Sequence, residues 1–185
     1  YKVPLRVLSS FEEGPGTLIS YEVDKEMESA VISGIAHNSD EAKVTITGVP
    51  DHPGIAHQIL NGVAEKGINV DMIIQNVAAD ETTDFTFTVP RSDYKAALAI
   101  LEKAREELGA RGVTGHDNIS KVSVVGVGMR SHTGVADKMF ATLAAEGINI
   151  MMISTSEIKI SVVIDEKYTE LAVRALHKAF ELDQK

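Results

Sequence analysis

Residues 131–157 read SHTGVADKMFATLAAEGINIMMISTSE, and residues 51–77 read DHPGIAHQILNGVAEKGINVDMIIQNV. Gly54 matches Gly134, and Gly67-Ile68-Asn69 matches Gly147-Ile148-Asn149, at a constant offset of 80. In the first stretch Ile55, Ile59 and Val63 recur every four residues, the spacing of one helix face, and Gly67 supplies the stop. In the second, Val135, Met139 and Leu143 do the same ahead of Gly147. A β-branched run suited to a strand follows each glycine. A loop, a helix and a strand are therefore written twice. The Asp51-His52-Pro53-Gly54 turn places Pro53 where a first helical residue is expected.

The flanks repeat as well. AKVTITG, from Ala42, sets Val44 and Ile46 against Thr45 and Thr47, a half-buried strand. Phe85, Phe87 and Val89 share one face of another strand, and Tyr94, Leu98, Leu101 and Leu108 trace a second helix before a short strand around Val113. In the second copy Val122 and Val124 open the unit, and Ile148 to Ile153 form its next strand. Ile158, Ile160, Val162 and Ile164 then alternate with Lys159, Ser161 and Val163, and Tyr168, Leu171, Ala175, Leu176 and Ala179 form the closing helix. Tyr94 matches Tyr168 at an offset of 74, so the second copy is shorter in the hairpin that reads NVAADETT in the first.

Each unit is strand–helix–strand–strand–helix–strand. This is a ferredoxin-like βαββαβ plan of the α+β class, an antiparallel sheet with helices on one face. The second copy ends at its helix with no fourth strand left. The apolar, β-branched stretch Ser29 to Ala36 is assigned to complete its sheet, so the first unit is inserted into the second. The expected limits are 37–118 for the first unit and 29–36 plus 119–182 for the second. Residues 1–26 lie outside the repeat: a short strand in KVPLRVL, a Gly-Pro-Gly turn, a second short strand and a charged linker.

The 185 residues are 44% hydrophobic and 24% charged, ordinary for a soluble globular chain. A formal net charge of −9 repels phosphate backbones and anionic lipid, so neither nucleic acid nor membrane is an expected partner. Phe85 and Phe87 alternate with threonines, the pattern of a core rather than an RNA-stacking face. Cysteine is absent, which removes disulfides and thiolate metal sites and fits a cytoplasmic location. There is no GxxxxGK[ST] phosphate loop, GVGMRS lacks the third glycine of a dinucleotide fingerprint, and GxSxG does not occur. His52 and His132 match across the copies but belong to no HxxxH or HxH pair, so they are read as loop residues and not as metal ligands. An acylphosphatase-like enzyme would need a loop arginine, and Arg130 of the second copy has only Pro50 opposite it in the first. No catalytic residue is expected. The sequence starts at Tyr1 and is expected to be a piece of a longer protein.

What the matched loops offer is binding. A glycine at a helix start lets a ligand reach backbone N–H groups that have no intrahelical partner, and these favour a carboxylate. An α-amino acid also brings an ammonium, for which the first copy has Asp51, Asp71, Gln75 and Asn76. The second copy replaces Asp71 by Met151 and offers Ser154, Thr155, Ser156 and Glu157. Plain turn glycines in a dimerisation module would leave the same pattern, and only ligand binding separates the two readings.

KVTITGVPDHPGIA, GINVDMIIQNV, TTDFTFTVPRSD, KVSVVGVGMRSHTGVA and INIMMISTSEIKISVVI together resemble the paired ACT domains at the C-terminus of aspartate kinase, most closely the type inhibited in concert by lysine and threonine. The resemblance covers residues 27–182, and YKVPLRVLSSFEEGPGTLI is similar to the end of that family's kinase domain. Met27 stands where an internally started regulatory subunit would begin. The resemblance implies feedback inhibition of aspartate-family amino-acid biosynthesis, with no catalysis in this part, no cofactor and no metal. It implies a homodimer formed through ACT domains and a catalytic domain or subunit as partner. It implies a threonine site of Asp51, Pro53, Gly54, Ile55, Ala56 and Gln75, with Asn149 and Ile150 from across an interface. The implied lysine site comprises Met129, Ser131, His132, Gly134, Ser156 and Glu157, with Asn69 and Asp71 from a facing first unit, and Asp71 answers the lysine ammonium. A non-sensing dimerisation module, or a sensor of another amino acid, is the alternative.

Overall fold

The computed structural model describes residues 5–8, 10–11, 14–19, 32–78, 80–126 and 134–184. Strands β1 (Leu5–Val7) and β2 (Thr17–Ile19) form a two-stranded antiparallel sheet of their own. The chain then runs β3 (Gly34–Pro50), α1 (Ile55–Glu65), β4 (Ile73–Val77), β5 (Thr82–Val89), α2 (Tyr94–Leu108) and β6 (Gly112–Val125). It ends with α3 (Val135–Ala145), β7 (Met152–Thr155), β8 (Lys159–Asp165) and α4 (Thr169–Ala179). Short 3₁₀ turns at Arg91–Asp93 and Glu166–Tyr168 lead into α2 and α4.

One six-stranded sheet has the order β4-β5-β3-β6-β8-β7. It contains the same four-strand arrangement twice, once as β4-β5-β3-β6 and once as β7-β8-β6-β3. The two arrangements share β3 and β6. In β3, Ala42 to Pro50 pairs with β5, while Gly34 to Asn38 pairs only with Val125 to Lys121 of β6. The start of β3 thus closes the second unit's sheet, and the first unit is an insertion within the second. Residues 29–31 of the stretch assigned to that role lie outside the described residues, as does Met27.

Two pairs of strands read as separate in the sequence are continuous. The polar residues His37 to Asp40 resemble a turn, yet His37 stays paired with Val122 and Asn38 with Lys121. The strand expected around Val113 is likewise the first half of β6. Register shifts on either side of the Glu41–Ile119 pair absorb the crossing. Strand residues of the two halves match at an offset of 78, so that Lys43 corresponds to Lys121 and Glu41 to Ile119. The Glu41–Ile119 pair therefore marks a pseudo-twofold axis between the units.

Periodicity explains the cores. Val44, Ile46, Phe85 and Phe87 face Ile55, Ile59 and Val63 of α1 and Ala97 and Leu101 of α2. The Phe85 and Phe87 rings meet edge-on at 6.1 Å, buried and unavailable for base stacking. Val122, Val124, Val162 and Ile164 pack on Met139, Leu143, Ala172 and Leu176 in the same way. A third cluster of Met72, Ile119, Met152 and Val163, with Ile74 and Met151 alongside, ties the two units together. Val163 alternates with Val162 along β8, so it buries on the face away from the helices. Ile158 falls outside the strand, in the preceding turn, and is exposed.

Candidate functional site

The first matched loop leaves β3 at Pro50. The Asp51 amide donates to the Glu81 carbonyl at 3.0 Å, and the Ile55 amide closes a turn on the His52 carbonyl at 3.2 Å. Gly54, at φ 95° and ψ −6°, is the third residue of that turn and Pro53 the second, the type II pattern. Pro53 is thus a turn residue two places ahead of the helix and not its first residue, because Gly54 takes the left-handed conformation between them.

Helix α1 has no side-chain cap. The Ile55 amide is held by His52 and the Gln58 amide by the Gly54 carbonyl, which leaves the Ala56 and His57 amides without partners among the described residues. These amides and the helix dipole make the turn a seat for an anion. A Cβ on Gly54 would have nothing within 4 Å, so the space over the turn is open.

Asp51, Pro53, Gly54, Ile55, Ala56 and Gln75 line one cavity of about 410 Å³, together with His52. His52 Nδ1 lies 3.2 Å from the Pro53 carbonyl, consistent with its loop role. Gln75 is brought in by β4, paired with Phe85 of β5. The cavity combines helix-start amides for a carboxylate with the Asp51 carboxylate and the Gln75 amide as acceptors for an ammonium. Asn149 and Ile150 precede β7 and do not line this cavity within one chain.

Asn69 and Asp71 line a second cavity of about 360 Å³. Glu41 and Lys121 also line it, and the sequence reading missed both. Lys121 Nζ lies 2.5 Å from Glu41 Oε1 and pairs with Asp71 as well, and Asn38 Nδ2 donates to Glu41 Oε1 at 2.9 Å. The hydrogen bond from Lys121 holds Asp71 below the usual carboxylate range, against a smaller opposing effect of burial. Burial pulls Lys121 down, but its hydrogen bonds to Asp71 and Glu41 outweigh that and raise it. The other half of the pseudo-twofold differs. The counterparts of Glu41 and Asp71 are Ile119 and Met151, so Lys43 has no acidic partner among the described residues, and burial lowers its pKa. The signal available in the sequence was Glu41 itself, a charge set directly before the alternation of β3.

In the second matched loop, Met129, Ser131 and His132 lie outside the described residues. Gly134 repeats Gly54 closely, at φ 96° and ψ −6°, ahead of an equally uncapped α3. Ser156 closes the β7–β8 turn, its amide donating to the Lys159 carbonyl at 2.8 Å and its hydroxyl accepting from the Lys159 amide at 3.2 Å. Ser156 and Glu157 do not line the cavity of Asn69 and Asp71 within one chain. The charge of Lys159 nonetheless contributes to lowering Asp71. No cluster of three or more histidines or acids suited to a metal occurs among the described residues. No described helix is long and apolar enough to cross a membrane.

The ACT domain family matches this chain twice, at residues 43–106 and 122–180. The crystal structure of aspartokinase alpha and beta subunits superposes with a TM-score of 0.76 at 60% identity, covering 81% of this chain and 99% of that one. The ligand-free regulatory subunit of aspartate kinase from Thermus thermophilus superposes with the same TM-score and coverage at 43% identity. The chain belongs to the aspartokinase family, as its regulatory ACT region. An aspartate kinase of Stutzerimonas stutzeri is 65% identical over 183 residues, which are 99% of this chain and 44% of that protein. The regulatory region described here thus spans less than half the length of the curated relatives it matches. The matches lie in ACT domains, and the kinase is the catalytic part elsewhere in the family's proteins.

Proposed function

We propose that this regulatory region binds lysine and threonine at seams between ACT units and mediates feedback inhibition of aspartate kinase in aspartate-family amino-acid biosynthesis. The observation that carries this reading is the 410 Å³ cavity, which gathers Asp51, Pro53, Gly54, Ile55, Ala56 and Gln75 around an uncapped helix start. That set answers the carboxylate and the ammonium of a small amino acid, and we assign it to threonine. Asn149 and Ile150 reach the site from a second copy in a homodimer. The dimer covers the edge strands β4 and β7, where Ile73, Val77 and Ile153 are exposed. Asn69 and Asp71, with the second loop and Ser156 and Glu157, form the lysine-like site. Effector binding favours one arrangement of the paired domains, and a coupling of about 1–3 kcal/mol to a catalytic domain suffices for inhibition. The region works in the cytoplasm without a cofactor.

Calorimetric titration with threonine, with lysine, and with each in the presence of the other tests this. Saturable binding of both, tighter together than alone, is the expected result. Absence of binding by either would leave a dimerisation module.

A further inference from the structure

The cavity around Asp71 is already occupied by an ammonium, and it belongs to the protein. Lys121 reaches from β6 to two carboxylates, and its side chain is 14% exposed. Glu41 is deeply buried, with a side-chain exposure of 4%, whereas Asp71 is half open at 51%. Two carboxylates against one ammonium leave one negative charge over. Glu41 Oε2 is buried with no partner among the described residues, while Glu41 Oε1 takes both Lys121 and Asn38. An ammonium has three donors, so Lys121 has one to spare for that second oxygen.

We propose that Lys121 is a built-in competitor for the ammonium of a bound lysine. The incoming lysine takes the exposed Asp71, and Lys121 withdraws onto both oxygens of Glu41. This rests on the assignment of Asp71 to the lysine-like site. The exchange sets one ammonium in place of another on Asp71, so no carboxylate is left bare at any stage. With the α-carboxylate and α-ammonium of the ligand held elsewhere in the seam, only a ligand with a cationic side chain completes it. A threonine side chain offers a hydroxyl, which cannot compensate Asp71 once Lys121 has left, and the seat therefore selects for lysine.

Titration calorimetry of the chain and four variants with lysine tests the proposal, with threonine binding as the check on folding. Lys121→Met removes the competitor and tightens lysine binding about tenfold, a change readily resolved in Kd. That variant leaves Glu41 buried and unpaired, which is itself destabilising. The double variant Glu41→Gln/Lys121→Met removes both charges, keeps Asp71 free and shows the same gain. Glu41→Gln alone takes away the retreat of Lys121 and weakens lysine about tenfold, although Glu41 does not touch the ligand. Asp71→Asn abolishes lysine binding. Loss in Asp71→Asn with no gain in the double variant overturns the competitor and leaves the site standing. Unchanged affinity in Asp71→Asn overturns the site and the competitor together.

Discussion

At Gly54 and Gly134 the backbone alone accounts for the residue. Both hold φ near +95°, and a Cβ at either would meet nothing within 4 Å. A side chain would fit the space but not the dihedral. Gly54→Ala should therefore cost about 1 kcal/mol through backbone strain, measured as a lower urea midpoint at unchanged slope. A loss of several kcal/mol would mean that the turn is packed against something. The same two glycines were visible in the sequence as an exact repeat. What the sequence did not disclose was the place of Pro53 in the first turn, because proline is equally at home in a first helical position and in the second place of a type II turn.

At the level of elements, the hairpin between β4 and β5 is pinned by a charge. Asp80 accepts from the Thr82 hydroxyl at 2.6 Å and pairs with Arg111, just ahead of β6. Those two hydrogen bonds, that from Thr82 first, lower its carboxyl from 3.8 to about 2. A depressed carboxyl stabilises the fold above its unfolded pKa, and that contribution is lost as pH falls through the folded value. The acid arm of the stability curve between about pH 4 and 2 should accordingly be shallower in Asp80→Asn than in the parent. In an NMR titration Arg111→Ala should move the Asp80 midpoint upward, and an unmoved midpoint would show that Thr82 acts alone. The helices of both units were legible because Ile55, Ile59 and Val63, and Val135, Met139 and Leu143, keep helical spacing to bury one face. The full lengths of β3 and β6 were not. His37 to Asp40 is polar because the chain crosses there between the two units with His37, Asn38 and Asp40 exposed, while backbone pairing of His37 and Asn38 keeps the strand continuous. Of the first cavity, Gly54, Asp51 and Gln75 were readable as candidates from the matched loops, and Pro53, Ile55 and Ala56 only through the family resemblance. Glu41 was visible as a charge ahead of the alternation of β3, but its partnership with Lys121 was not, since it depends on a strand pairing 80 residues apart in the chain.

Across the whole molecule, the two units cannot be separated by a single cut. Each borrows an edge strand from a strand that is central in the other, and Met72, Ile119, Met152 and Val163 bury a common cluster. Residues 32–184 should unfold in one transition, with calorimetric and van't Hoff enthalpies equal. Two resolved transitions would show the units to be independent. The continuity of β3 also has a mechanical side. At about 3.3 Å per residue its 17 residues run roughly 55 Å, with irregularities near Glu41 and Gly48. One end is Gly34, and the other is Pro50, which hands the chain to the Asp51–Gly54 turn. Strand β6 delivers the chain toward the second loop in the opposite direction. A hydrogen-bonded strand resists stretching along its axis, so a shift at either loop is a tug on a taut line. The far end of the line from the first loop is the point where the chain enters from its N-terminal segment.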